Sequence, residues 1–229
     1  MSFSHNKKQY ESSLKKKLNF VFYKKIDKFK TDTVDNLINI VQNKKFSFLY
    51  ESVEKGKDKG RYTICGYNSI SAITLKNKKL TLNTYNKKKV STIRSNPLEK
   101  IDQLIKTSKF IKSKNLPPMA GCFFGFISYE NIYNIEKISK KRKKNSLQTP
   151  DILLFIPKIL IIYDNFTRSL FIIRHYLSNE KNIPQYDLIV KEFQKIESRL
   201  KKNLEEKKLD LKRRKKISIK SNIGKNKFL

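Results

Sequence analysis

The segment KFSFLYESVEKGKDKGRYTICGYNS, residues 45–69, sets a carboxylate and a hydroxyl side by side at Glu51 and Ser52, directly after an aromatic run. A carboxylate accepts from an ammonium group, and a hydroxyl can donate to a carboxylate or accept from an amine. At the end of a strand carrying aromatic rings, the pair is suited to gripping the polar end of an amino acid while the rings hold its side chain. The plainer alternative is a strand end with a solvated acid and a serine that opens a turn. Other reactive groups are sparse. His5 and His175 have no partner pattern, and Cys65 and Cys122 lack metal-ligand spacing and read as small packed hydrophobes. Neither phosphate-binding glycine loop occurs, since Gly121 and Gly125 lie inside an apolar run instead of between a strand and a helix. The 20 carboxylates form none of the paired arrangements that magnesium chemistry uses. From its residues alone, the chain does not read as an enzyme.

The elements that must position Glu51 and Ser52 follow from periodicity. Phe46, Phe48 and Tyr50 alternate with Ser47, Leu49 and Glu51, which predicts a strand over about 45–51, paired with another over about 60–67. Ahead of them, TDTVDNLINIVQN predicts a capped helix over about 33–42. SAITLKNKKLTLNT reads as a hairpin turning at Asn77 and Lys78. NPLEKIDQLIKTSKF reads as a helix capped by Asn96, with Pro97 in its first turn. A glycine within a strand marks a bulge or a close backbone approach, and MAGCFFGFISYE holds two. DILLFIPKILIIYDNFTRSLFIIRH gives two strands turning at Asp164 and Asn165, too apolar for a sheet with one solvated face. Residues 186–208 carry a helical stripe through Ile189, Phe193, Ile196, Leu200 and Leu204. A basic patch at 212–216 and a short strand follow, then a cap at Ser221 or Asn222.

Composition sets the outer bounds. At 229 residues, the chain suits one sizeable domain or a domain with an appendage. The opening residues read as polar and carry no secretory signal, and the greasiest run is cut by Pro157 and Lys158, well short of the roughly 20 residues of a membrane helix. With two cysteines this gives a reduced, cytoplasmic setting. The formal charge of +32 raises a lysine-rich nucleic-acid-binding module as an alternative. Only eight of the 52 basic residues are arginine, the residue preferred for forked phosphate and guanine contacts, and the lysines are spread along the chain, so a compositional bias explains the charge better.

Four stretches together resemble the anthranilate synthase component I family. FLYESVEKGKDKGRYTICG is similar to its LLES…GRYS segment, and LPPMAGCFFGFISYENIYNIE to its PPF-x-GG-x-x-GY-x-GYD segment. PDILLFIPKILIIYDNFTRSLFII matches its PD…P…FDH strand pair, and SNIGKNKFL the stretch that opens its chorismate-binding region. The resemblance implies an α+β fold, antiparallel sheets flanked by helices, as the N-terminal half of that family's fold with a C-terminal linker helix. The expected boundaries are a polar tail at 1–14, the N-terminal domain at 15–180, a linker helix and basic segment at 185–216, and the start of a truncated chorismate-binding domain at 217–229. It implies a role in tryptophan biosynthesis, where chorismate and glutamine or ammonia give anthranilate. On that reading the chain is a non-catalytic fragment carrying the tryptophan feedback site, Leu49, Tyr50, Glu51 and Ser52. It further implies Mg²⁺ for the complete enzyme, a glutamine amidotransferase partner subunit, a separate chorismate-binding half, and L-tryptophan as effector. The aminodeoxychorismate synthase branch shares the architecture, but Glu-Ser followed by Gly-Arg-Tyr favours anthranilate synthase. The departures are Tyr50 for leucine, Cys122 and Ser128 for glycines, Glu130 for aspartate and Tyr133 for arginine.

Overall fold

The computed structural model describes residues 2–29, 33–51, 60–85, 87–111, 114–136, 138, 148–178, 180 and 183–201. Its nine strands are β1 Ser2–Phe3, β2 Phe20–Ile26, β3 Phe48–Tyr50, β4 Tyr62–Lys76, β5 Lys79–Thr84, β6 Lys87–Thr92, β7 Phe124–Ile127, β8 Ile152–Asp164 and β9 Ser169–Tyr176. The helices are α1 Lys7–Lys15, α2 Thr33–Val41, α3 Pro97–Thr107 and α4 Tyr186–Lys201, with 3₁₀ turns at Pro118–Gly121 and Tyr129–Asn134. All the strands join one antiparallel sheet in the order β1-β2-β9-β8-β4-β5-β6, with β3 also on β4 and β7 also on β8. The expectation of several sheets therefore gives way to a single one. The long strands β4 and β8 make the difference, because each runs through both halves and carries two neighbours in succession on its outer edge.

The two long strands lose register between Ser69 and Ser71, opposite Pro157. Proline gives no ladder hydrogen bond and a bulge bends the strand that holds it, so the sheet curls at this point. On one face, α1, α2 and α4 cover a core that runs from Phe20 and Phe22 through Ile159, Ile161 and Ile172. Ile189, Phe193, Ile196 and Leu200 of α4 are buried there as their spacing requires, each contributing about 1.5–3 kcal/mol. α3 closes a smaller core over β4, β5 and β8 through Ile101, with Asn96 Oδ1 accepting from the Leu98 N–H at 3.0 Å. The opposite face holds Leu160, Ile162, Phe171 and Ile173 under Leu116, Ala120 and Phe124. No described helix is long and apolar enough to cross a membrane.

The N-terminal residues differ from the expected loose tail. Asn6 and Gln9 form a reciprocal capping box, each accepting from the other's backbone N–H at 2.9 Å. The helix so started buries Tyr10 against Phe22, Tyr176 and Tyr186, with ring centroids 5.5–5.8 Å apart. The polar text hid a single apolar anchor. Asn6→Ala is expected to lower stability by about 1 kcal/mol in urea denaturation of the full chain, where a loose tail predicts no change. The expected strand over 60–67 and the first arm of the hairpin are one continuous strand, β4. The readings on residues 202–229 lie outside the described residues, as does Ser52.

Candidate functional site

β3 pairs with β4 at three positions, setting Phe48 opposite Gly66, Leu49 opposite Cys65 and Tyr50 opposite Ile64. Alternation then divides its side chains. Leu49 packs into the core beneath the helices, whereas Phe48 joins the other face. A Cβ on Gly66 would stand 2.7 Å from Phe48 Cε1 and 3.1 Å from Pro157 Cβ, so the absent side chain is what lets the Phe48 ring lie over β4.

In a flat sheet β3 and β7 would stand three strand spacings apart, about 14 Å. Here the Phe48 and Phe124 rings stack with centroids 4.5 Å apart, which requires the curl set at Pro157. Phe155 meets Phe48 edge-on at 5.8 Å and Phe46 at 5.3 Å, and Tyr50 lies 5.0 Å from Phe48. The Tyr50 hydroxyl donates to the Gly125 carbonyl at 3.3 Å, joining the two strands across the gap. Gly125 has φ +148°, and a Cβ there would fall 1.9 Å from the Leu153 carbonyl oxygen. The close backbone approach expected of a glycine in this strand is thus the contact of β7 with β8.

Between these strands opens a groove of about 670 Å³, lined by Phe46, Phe48, Tyr50, Phe126, Leu153 and Phe155, with Lys44 and Lys45 at one end. That size suits a small-molecule ligand, and rings on several sides suit a flat aromatic one. Of the four expected site residues, Tyr50 lines the groove, Leu49 points to the opposite face, and Glu51 is exposed just past the end of β3. Ser52 lies outside the described residues. The Phe126 contribution escaped the sequence reading because it comes from a strand about 75 residues away, brought over by the curl.

His175 and Cys65 are packed into the fold. His175 is fully buried, with Nδ1 2.8 Å from the Pro157 carbonyl oxygen and Nε2 2.7 Å from that of Ala120. Burial pushes its imidazole down to about 4, against the opposing pull of the two carbonyls. Cys65 is buried, which drives its thiol upward, whereas Cys122 is exposed and not packed as expected. Two buried ionic clusters went unread. Arg174 reaches Glu180 and Glu192, each at 3.3 Å, and Lys24 pairs with Glu197. A cation inside the apolar runs SLFIIRHY and FVFYKKI was the available signal.

Residues 45–229 match the chorismate binding enzyme family. The chain belongs to that family. Among proteins similar to it, anthranilate synthase component 1 of Neisseria gonorrhoeae (strain ATCC 700825 / FA 1090) is 30% identical over 146 residues, 62% of this chain and 30% of that protein. The probable anthranilate synthase component 1 of Schizosaccharomyces pombe is 27% identical over 191 residues, 82% of this chain and 35% of that protein. A crystal structure of anthranilate synthase component I from Streptococcus pneumoniae aligns at a TM-score of 0.46 and 19% identity, covering 78% of this chain and 38% of that one. The chain spans about a third of the length of the curated relatives it matches.

The family match overturns the expectation of a chain cut off before its chorismate-binding region. That region takes in residues 45–229, so it is present, and β3 to α4 lie within it. The readings as an N-terminal fragment, as half of the family fold and as a chain without the catalytic domain all fall with it. They rested on missing paired carboxylates and on the likeness of SNIGKNKFL to a region's opening. Neither feature marks where the domain begins, since the family match starts at residue 45, just ahead of β3.

Proposed function

We propose that the chain serves a chorismate-using enzyme of the anthranilate synthase component I type, and that the aromatic groove beside β3 is its receptor for L-tryptophan. One observation carries the receptor reading: Phe46, Phe48, Tyr50, Phe126 and Phe155 converge on an open groove at the strand whose end bears Glu51 and Ser52. The indole would lie among the rings, with the ammonium group toward Glu51 and the carboxylate toward the Ser52 hydroxyl. Leu49 would act from the opposite face, holding β3 in register on the helix-covered core.

The curated relatives are called component 1, and a glutamine amidotransferase subunit as the second component of a cytoplasmic enzyme belongs to the same proposal. Magnesium is implied by the resemblance. Among the described residues no group of three or more His, Cys, Asp or Glu side chains could hold a metal ion, so these residues do not fit the ion.

The chain contains no tryptophan, so the emission of added L-tryptophan reports on its own surroundings. A saturable blue shift is expected, with affinity about 10-fold lower in Tyr50→Ala and in Ser52→Ala. Tyr50 is 46% exposed, so its loss leaves the core intact. An unshifted spectrum, or equal affinity in parent and variants, would remove the receptor reading. Calorimetric titration with chorismate tests the substrate reading separately, and absence of heat would refute it.

A further inference from the structure

Among the described residues, the buried charges pair. Arg61 holds Asp164 through two nitrogens, Arg174 lies between Glu180 and Glu192, and Lys24 pairs with Glu197. A second pocket, away from the aromatic groove, brings charges of both signs together at the surface. It has a volume of about 200 Å³ and lies between the β4–β5 turn, the start of α3 and the 3₁₀ turn Tyr129–Asn134. Lys78, Arg94, Glu130 and Asp151 line it above a floor of Leu75 and Ile93. Among the described residues, none of these four charged side chains forms an ion pair.

The pocket is built and held. Asn131, 3% exposed, donates from Nδ2 to the Asp151 carbonyl at 2.9 Å and accepts at Oδ1 from Asn134 Nδ2 at 3.2 Å. Asn134 in turn accepts from Asn96 at the cap of α3. On the facing wall, one carboxylate oxygen of Asp151 accepts from the Asn77 N–H at 3.1 Å, and the Lys78 carbonyl accepts from the Ile93 N–H at 2.8 Å. Asn77 and Lys78 both have positive φ, which fixes the tight hairpin turn they form. The framework fixes the backbone around the cavity and the Asp151 carboxylate, and the exposed side chains of Lys78, Arg94 and Glu130 stand at its rim.

Unpaired charges of both signs around a cavity match a ligand that carries both signs. The lining sums to zero formal charge, which disfavours a dianion. The volume lies below the roughly 300–1,000 Å³ of drug-sized sites and admits a small metabolite. We propose that this pocket binds a small neutral α-amino acid with an aliphatic side chain. Its carboxylate meets Arg94 and Lys78, its ammonium group meets Glu130 and Asp151, and its side chain rests on Leu75 and Ile93. This makes it a second amino-acid site, independent of the aromatic groove.

The test is calorimetric titration of the full chain with L-alanine, L-valine and L-leucine, with isovalerate and isobutylamine as ligands that lack one charge. At least one of the three amino acids is expected to bind, with each one-charge ligand about 10-fold weaker or more. Arg94→Gln and Glu130→Gln replace exposed side chains, and each is expected to weaken amino-acid binding by about 10-fold. Tyr50→Ala is expected to leave it unchanged, which separates this site from the groove. Failure of all three amino acids to bind overturns the proposal. So does binding that ignores Arg94 and Glu130, or binding that is lost with Tyr50.

Discussion

Gly125→Ala is expected to destabilise the protein by about 3 kcal/mol or more and to lower Tm by about 6–12 °C. At φ +148° alanine is strained by its backbone alone, and its Cβ would meet the Leu153 carbonyl oxygen at 1.9 Å. Neither atom belongs to a flexible side chain, so β7 must leave β8. The Gly125 carbonyl also receives the Tyr50 hydroxyl, so the groove should open at the same time. Gly66→Ala is the informative comparison. Its Cβ would meet the end of the Phe48 ring, which can swing away, so a smaller loss of stability is expected, with the groove altered. Urea denaturation and tryptophan emission on both variants check this. Equal stability of Gly125→Ala and parent would contradict the geometry.

Arg174→Met is expected to cost about 3–5 kcal/mol at neutral pH, because it strands the buried Glu180 carboxylate that Arg174 now neutralises. Arg174 is 2% exposed, lies 4.9 Å from the centre of the Tyr176 ring, and reaches Glu180, whose side chain is 6% exposed. Tyr85 donates to the other Glu180 oxygen at 2.8 Å. Burial holds the Glu180 carboxyl above the ordinary carboxylate range, outweighing the opposing pulls of Tyr85 and Arg174. A raised acid binds its proton more tightly in the folded protein than in the unfolded chain. The charged form therefore costs stability above that pKa, and the cost is relieved as the pH falls through it. Removing Arg174 widens the gap, so the deficit of the variant against the parent should shrink as the pH is lowered from about 7 to about 5. Paired denaturation curves at the two pH values decide it. A deficit that stays constant or grows on acidification would show that lost packing over Tyr176 dominates.

Much of the fold was legible because local rules and global packing agree. The stripe of α4, the Asn96 cap of α3, the turn at Asn77 and Lys78, and the two apolar strands each follow from a period or a turn residue. Where one residue outweighed its surroundings, the text misled. Tyr10 anchors a segment that is otherwise polar, and Lys87–Lys89 lie in β6, whose side chains are all exposed. An edge strand rich in lysine resists pairing with other chains, and the sequence reading assigned no element there. In the candidate site, alternation put Phe48 and Tyr50 on one face of β3 but also sent Leu49 to the other side, and Phe46, expected in the same strand, lies before it in a turn at φ +50° and reaches the groove from there.

By itself the sequence determined most of the elements and the aromatic strand that carries Tyr50, because these depend on spacing along the chain. Only the tertiary structure decided that β3 and β7 face each other, that β4 and β8 make one sheet out of two hairpins, and that four unpaired charges surround one small cavity. β3 and β7 meet where Pro157 and the register shift at Ser69–Ser71 bend the sheet, and the small cavity forms where the β4–β5 turn, the start of α3 and a 3₁₀ turn come together; no local period connects residues so far apart in sequence.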